Sequence, residues 1–572
     1  MESTLKVYSI IVGIDFGTTF SGYQIASLKD DEAEEYEYPI EDDEPWIYKE
    51  APSTMFYKKE YKELLQYGED ANDEVRLNPD SGYYVTRVKL WLDRTIKDHL
   101  PLPHNLTPVE VIGDYLREMY KDICKNVPKE YPACIDSSEY RYCMTVPTIW
   151  SEESKGIMRE AAILAGIITK YDEPGRLLIV DEAVAAALHA EYESPELVLE
   201  NGDCYMICDA GGGTVDIAVF ERDNSSGVNG LKELTMGTGS SCGSSFVDAQ
   251  FETMLREKVS KYPGINDWDI YITTYTFKEG LKELFGGDDN ENIVEALDEI
   301  NRELITNHPE IDEELFTLDD IRKTFEPVVD EVLHVIEKQF SQLGDREVDV
   351  MFITGGFGQS PYLQERIQNT FDDRVKTFKV IEESYLAVMK GAALFGQHPR
   401  KVTQRILRRT YGIKICSPID ETENDTNTKS SKNRFYMCIR KGDPVKEDTW
   451  VTRKIIWKKN VVPIISMYAY DGDEPIPEYP TAKEIDLVAI FDTKFPIDDR
   501  KEVNYEILVM RMRFGLDKID IKVNIAGRDF EYVTVWDVTG EKTTQLYSEP
   551  FPPPNVKVRK FWLLDTIVKH LP

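Results

Sequence analysis

Tyr205 to Phe220 reads Y-M-I-C-D-A-G-G-G-T-V-D-I-A-V-F, an apolar strand that ends in Asp209, turns on glycines and Thr214, and runs back as a second strand. Ile10 to Gly22, I-I-V-G-I-D-F-G-T-T-F-S-G, repeats the plan around Asp15. Each stretch reads as a tight β-hairpin with an acid at its tip. Glycines leave backbone N–H groups bare, and a turn of bare N–H groups binds phosphate. Two such hairpins facing each other grip a polyphosphate from both sides, with Asp15 and Asp209 holding a Mg2+ ion through its waters. A single D-x-G would be an ordinary turn; the second copy is what carries the reading. The alternative phosphate signature, G-x-x-x-x-G-K-[ST], is absent, and the chain has no Gly-Lys dipeptide.

Composition bounds the rest. At 572 residues the chain is too long for one core, and roughly 100 to 200 residues per domain gives three or four structural units. A net charge of −37 argues against nucleic acid and anionic membrane as partners, since both are bound by surplus Lys and Arg. The acidic runs Asp30 to Glu35 and Glu41 to Glu44 read as solvated faces. No stretch approaches the eighteen or so apolar residues of a membrane helix, and the N-terminal apolar run ends in Asp15, so it is a core strand and not a signal peptide. The eight cysteines show no C-x-x-C spacing, which favours reduced thiols and a cytoplasmic location. The sequons at Asn105, Asn224 and Asn424 are then chance matches.

Along the chain, Thr86 to Arg94 sets Lys89 among apolar residues. Cys143 to Gly166 reads as strand, loop and helix with Ser151 as N-cap. Leu177 to Ala190 is a strand running into an Ala-rich helix, with Glu182 at the junction. Phe246 to Phe340 is mostly helical. Val348 to Ile367 gives a buried strand, a turn at Gly355 and Gly356 opening a helix, a geometry suited to nucleotides or simply to close packing. A small-residue helix, Ser384 to Gly396, closes this half. The expected division is a nucleotide-binding domain over 1–398, an exposed basic linker over 399–410, a β-rich domain over 411–550 and a short tail over 551–572. Within the third, strand-like alternation includes Ile464 to Tyr470, and Asp420 to Asn433 is a polar loop. The Pro-rich Glu549 to Pro554 ends it.

With both hairpins, T-V-P at Thr145 to Pro147, D-E-A-V-A-A-A at Asp181 to Ala187 and Gly-Ala-Ala at Gly391 to Ala393 in this order, the first 400 or so residues resemble the actin-like ATPase superfamily. Within it they look like the nucleotide-binding domain of the 70-kilodalton heat-shock proteins. The stretch I-R-K-G-D-P-V, Ile439 to Val445, is most similar to the divergent branch called member twelve of heat-shock protein family A. The resemblance implies a two-lobed α/β actin-like domain followed by an all-β sandwich-like one, a chaperone that binds and slowly hydrolyses MgATP to ADP, and binding of unfolded or extended polypeptide. It also implies nucleotide-exchange or co-chaperone partners. Residue by residue, it gives Gly17, Thr18 and Thr19 to the first phosphate turn and Gly211, Gly212, Gly213 and Thr214 to the second. Asp15 and Asp209 would hold the Mg2+ shell, Glu182 and Asp216 would lie near the attacking water, and Lys89 would reach the terminal phosphate. Gly355 and Gly356 would contact adenosine and Lys282 the ribose.

The chain departs from that pattern in three places. Glu283 stands where a stacking Arg is usual and cannot make its cation–π contact. The acidic-apolar interdomain linker is replaced by the basic Arg400 to Arg409, and only Asn555 to Pro572 remains where a helical lid would lie. Rival readings follow. Gly239 to Gly243, G-S-S-C-G, has the form of a nucleophile elbow, with His308, His334 or His398 as base. A small-molecule kinase or a filament-forming ATPase would use the same hairpins but not an all-β C-terminal module. A nucleotide-binding scaffold with hydrolysis lost would keep the fold.

Overall fold

The computed structural model describes residues 8–27, 48–78, 80–93, 96, 101–197, 199–224, 230–287, 290–311, 315–416, 433–446, 449–458, 464–472, 475–477, 485–492, 505–514, 518–525, 528–535 and 544–546. The acidic runs near the N-terminus, most of the polar loop after Asp420, the Pro-rich stretch and the tail lie outside the described residues. The chain divides into two compact units. One comprises Met1–Ser154, Ala161–Asn229 and Gly237–Lys401, the other Lys155–Glu160, Gly230–Met236 and Val402–Pro572.

The first unit is built on one plan used twice. In the first sheet, strands β1 (Ile10–Phe16) and β2 (Phe20–Ser27) form an antiparallel hairpin, β3 (Tyr48–Pro52) borders β2, and β4 (Tyr140–Val146) and β5 (Leu177–Asp181) add in parallel beyond β1. In the second sheet, β6 (Cys204–Ala210) and β7 (Val215–Asp223) form the hairpin, and β8 (Val348–Thr354) and β9 (Val375–Val380) add in parallel beyond β6. Parallel neighbours need a crossover. Helix α1 (Glu152–Ala165) lies between β4 and β5 in the chain. Four more helices matter below: α2 (Glu182–Glu193) after β5, α3 (Ser244–Val259) after the second hairpin, α4 (Pro361–Phe371) between β8 and β9, and α5 (Ala387–Gln397) after β9.

Sequence explains these placements. β1 has Ile10, Ile11, Val12, Ile14 and Phe16 all fully buried, the unbroken apolar run expected of a strand covered on both faces. α1 starts at Ser151, whose hydroxyl accepts from Ser154 N at 3.2 Å. α2 and α5 pack so closely that a Cβ on Gly391 would fall 1.8 Å from the Ala185 carbonyl oxygen. The Ala-rich and Gly-Ala-Ala motifs are thus two sides of one helix crossing.

In the second unit, Val402–Ile406 pairs in parallel with Gly230–Glu233 and antiparallel with Pro444–Lys446. Strands Asn433–Ile439, Thr410–Cys416, Ile464–Tyr470 and Ile485–Asp492 form one sheet; Val451–Lys458, Tyr505–Phe514, Lys518–Ile525, Arg528–Val535 and Thr544–Leu546 form another. Ile413, Met467, Ala469 and Val488 of the first meet Met510, Met512, Ile521 and Val523 of the second in one buried cluster. The basic stretch 399–410, expected to be an exposed linker, is a turn and a paired strand. Arg408 pairs with Glu233 at 3.2 Å, and the buried Arg409 holds both Asp471 and Asp486. Acids that neutralise these arginines lie far off in sequence, so composition alone read them as solvent-facing.

Among the described residues no helix is long and apolar enough to cross a membrane, and Cys124, Cys134, Cys143, Cys204, Cys208, Cys242 and Cys438 are free thiols.

Candidate functional site

The two hairpin turns meet. A Cβ on Gly212 would lie 2.3 Å from Thr19 Oγ1, and one on Gly213 would lie 2.1 Å from Thr18 Oγ1, so only glycine permits this approach. The carbonyls of the second turn are occupied by the start of α3: Gly243 N donates to Gly213 O at 3.0 Å, Ser244 N to Gly211 O at 3.1 Å and Ser245 N to Gly212 O at 2.8 Å. Among the described residues the N–H groups of Gly212 and Gly213 have no recorded acceptor. The Gly211 amide is spent on Thr214 O at 3.0 Å, so with its carbonyls engaged the turn offers two adjacent amides, Gly212 and Gly213, to an anion.

Around these tips stand four carboxylates and one ammonium. Asp209 and Asp216 face each other across the second hairpin in register, and Asp15 occupies the position in β1 that Asp209 holds in β6. Each acid has one oxygen engaged by a protein donor. Thr145 Oγ1 donates to Asp15 Oδ1 at 2.8 Å, Thr354 Oγ1 to Asp209 Oδ1 at 3.2 Å, Thr148 N to Asp216 Oδ1 at 2.5 Å and Lys89 Nζ to Glu182 Oε1 at 2.6 Å. Asp216 is fully buried; the neighbouring Thr214 side chain favours its charged form, but among the described residues no donor is close and aligned enough to hydrogen-bond its Oδ2.

Crowding sets the electrostatics. Burial, then Asp216 and Asp15, push Asp209 up to about 7. Burial likewise lifts Asp216 to about 6, against the opposing pull of the Thr148 N–H and Lys89. Burial raises Glu182 far above the usual carboxylate range, with Lys89 opposing and the three aspartates adding. For Lys89 burial pulls down, but Glu182, Asp15 and Asp216 outweigh it and hold the ammonium above its ordinary value. Lys89 sits on a short turn, Val88–Leu92, fastened at its end by Ser154 Oγ donating to Leu92 O at 3.0 Å and by Ser241 donating to Asp93.

Of the other expected site residues, Gly355 packs against Asp209 itself, where a Cβ would fall 2.7 Å from Oδ1. Lys282 pairs with Asp248 of α3 at 2.8 Å, and Glu283 is exposed. Gly355 has φ 82, and a Cβ there would fall 2.3 Å from Ala210 O; beside Gly356 there is open space. The helix expected to open on these glycines opens at Ser360, which caps α4 by accepting from Leu363 N at 3.4 Å. Gly355 therefore serves close packing against the second hairpin. Ser241, the serine of the G-S-S-C-G pattern, is bonded to Asp93, and His308 lies against Asp269 at 3.3 Å. Ser241 and His308, the first of the bases proposed for the elbow, are thus each engaged by an acid and not by one another.

Three residues escaped the sequence reading. Thr354 and Thr148 act through register and a backbone amide, which a linear motif does not signal. Glu50 of β3 stands opposite Gly22, which stands opposite Asp15, and burial together with Asp15 pushes it up to about 7. Only the placement of β3 beside β2 reveals it.

No protein-family model matches the chain. Mouse heat shock 70 kDa protein 12A is 23% identical over 571 residues, spanning 82% of this chain and 83% of its own length. Human heat shock 70 kDa protein 12A is 23% identical over 527 residues, with 76% of each chain covered. Human heat shock 70 kDa protein 12B is 24% identical over 494 residues, with 72% of each covered. The chain is similar to the 12A and 12B branch of the 70-kilodalton heat shock proteins. Both copies of the sheet plan and the α2–α5 crossing fall in the part of the chain whose motifs carried that resemblance.

Proposed function

We propose that this chain is an actin-like, MgATP-binding protein that hydrolyses ATP slowly. The observation that carries the reading is the meeting of two glycine turns, one with free amides, above four carboxylates and Lys89. Their oxygens suit a hard cation such as Mg2+. Among the described residues no three acidic, His or Cys side chains converge closely enough to ligate one ion directly, which fits an ion held by Asp15 and Asp209 through water. When bound, the ion neutralises phosphate charge and screens the carboxylates that now raise one another. The amides of Gly212 and Gly213 bind phosphate oxygens, with Gly17, Thr18 and Thr19 opposite. Lys89, charged and buried, is placed to stabilise charge on the terminal phosphate; phosphoryl transfer asks mainly for such positioning. We assign to Asp216 Oδ2, buried with no aligned donor among the described residues, the holding of the attacking water and the uptake of its proton, with Glu182 beside it. A base near 6 is matched to that task at neutral pH.

Lys282, Gly356 and the loss of a stacking Arg at Glu283 point to a loosely held base. Glu283 also favours the second reading, a nucleotide-dependent scaffold without turnover. Polypeptide binding by the second unit and a cytoplasmic location rest on the heat shock relatives and the free thiols. Met467 and Ala469 face the core, so the apolar side of Ile464–Tyr470 is not the peptide surface.

Thermal shift with MgATP, MgADP and MgGTP, followed by single-turnover hydrolysis, tests the proposal. Wild type should be stabilised by millimolar MgATP, and Asp209→Asn should lower turnover at least about tenfold, the scale for removing one charge-stabilising group. Stabilisation without turnover would select the scaffold reading; no stabilisation would sink both.

A further inference from the structure

The two hairpin acids are held in the same way by residues that no motif pairs. β4 lies parallel to β1 with Met144 beside Ile14, and β8 lies parallel to β6 with Thr354 beside Asp209. One residue past Met144, Thr145 Oγ1 donates to Asp15 Oδ1 at 2.8 Å; at the equivalent point of the second sheet Thr354 Oγ1 donates to Asp209 Oδ1 at 3.2 Å. Both threonines are fully buried. Valine would fill such a sheet position equally well, and a buried hydroxyl is costly unless it finds a partner. Here the nearer partner is in both halves the acid at the hairpin tip, on the corresponding oxygen; for Thr145 the Ile14 carbonyl is a more distant alternative at 3.5 Å.

An aspartate carboxylate has a broad terminal torsion, so one donor fixed on Oδ1 decides where Oδ2 points. We propose that Thr145 and Thr354 are a matched pair of positioning residues, each tying down one oxygen of its acid so that the other is presented to a hydrated divalent cation shared by the two hairpins. This rests on the MgATP reading above. Outer groups of this kind orient the residues that serve a metal, and removing one typically costs ten- to a hundred-fold in metal affinity when the ligands bind directly. Acting through water, the effect belongs at about the lower end of that range.

The experiment measures stabilisation by ATP against free Mg2+, and by ATP in excess EDTA, for wild type, Thr145→Val, Thr354→Val and the corresponding serine variants. Alanine replaces valine at a position where valine does not fold. The valine variants should need about tenfold more Mg2+ for half-maximal stabilisation while the EDTA value stays at wild type, and serine should restore the wild-type requirement. Valine variants with unchanged Mg2+ dependence, serine that fails to restore it, or equal losses with and without Mg2+ would each overturn the positioning role. A wild type that MgATP does not stabilise removes the nucleotide reading and this inference together. A stabilised wild type with indifferent valine variants removes only the inference.

Discussion

Lys89 and Glu182 lie 93 residues apart and are both buried at 2.6 Å. Nothing in V-K-L-W-L separates a buried lysine from one that snorkels to solvent. What decides is the partner at the β5–α2 junction and three aspartates around it. Breaking such a pair from one side typically costs about 3 to 5 kcal/mol, because the surviving charge is stranded. Here Glu182 can escape part of that by taking up a proton, as its raised value anticipates. Lys89→Met should therefore destabilise the protein by about 2 kcal/mol or more, and Lys89→Met/Glu182→Gln by clearly less than the sum of the singles. Urea unfolding in a double-mutant cycle reads this; strict additivity would mean the two groups are not coupled. His189 gives a pH signature in the same unit. Burial, then Lys390, holds it down at about 3 from 6.5. The unfolded chain takes up a proton below about 6.5 while the native imidazole stays neutral until about 3, so its contribution is present at neutral pH and is lost as pH falls through that window. The raised acids Asp209, Asp216 and Glu50 act in the opposite sense. Comparing His189→Gln with wild type isolates the histidine: its urea midpoint should fall less between pH 7 and pH 4.5, and parallel declines would show that His189 is not the group.

Strand and helix identity were largely legible because the physical signals are local. The Asp-Gly turns define both hairpins, Ser151 caps α1, and Ala-rich stretches give α2. The stretch 399–410 shows where local signals stop. Its positive charge reads as solvent-facing, yet Val402–Ile406 is paired on both edges and Arg409 bridges Asp471, just past the strand Ile464–Tyr470, and Asp486, within the strand Ile485–Asp492. A buried arginine shared by two carboxylates adds a charged tie at the edge of strands that are already paired in one sheet. Trypsin should thus not cut first at Arg405, Arg408 or Arg409, since a paired strand must open before a protease can bind it. Mass mapping of the earliest fragments checks this, and early cleavage at those three residues would contradict the pairing. Arg409→Ala, by leaving Asp471 and Asp486 without their cation, should speed cleavage there without removing MgATP stabilisation of the first unit.

At the scale of the first unit, the duplicated plan was visible as two similar hairpins, but their mating was not, because it depends on which glycine meets which threonine. Gly212 lies against Thr19 and Gly213 against Thr18, so the two sheets are keyed to each other at the point where phosphate is expected. Gly212 has no positive φ, and alanine is strained there by contact alone. Its Cβ would meet Thr19 Oγ1 at 2.3 Å, Cγ2 at 2.6 Å and Cβ at 3.0 Å. Overpacking of this kind costs about 1 to 3 kcal/mol. Gly212→Ala should lower stability by that amount and weaken MgATP stabilisation, because the tips are forced apart. Thr19→Ala removes the two nearest of those three atoms, leaving a contact that a shift of a few tenths of an ångström relieves. The double variant Gly212→Ala/Thr19→Ala should therefore recover most of the lost stability. If Thr19→Ala worsens Gly212→Ala instead, the tips do not mate as described. If stability returns without MgATP stabilisation, the keyed contact is structural, and the Thr19 hydroxyl belongs to the phosphate grip itself.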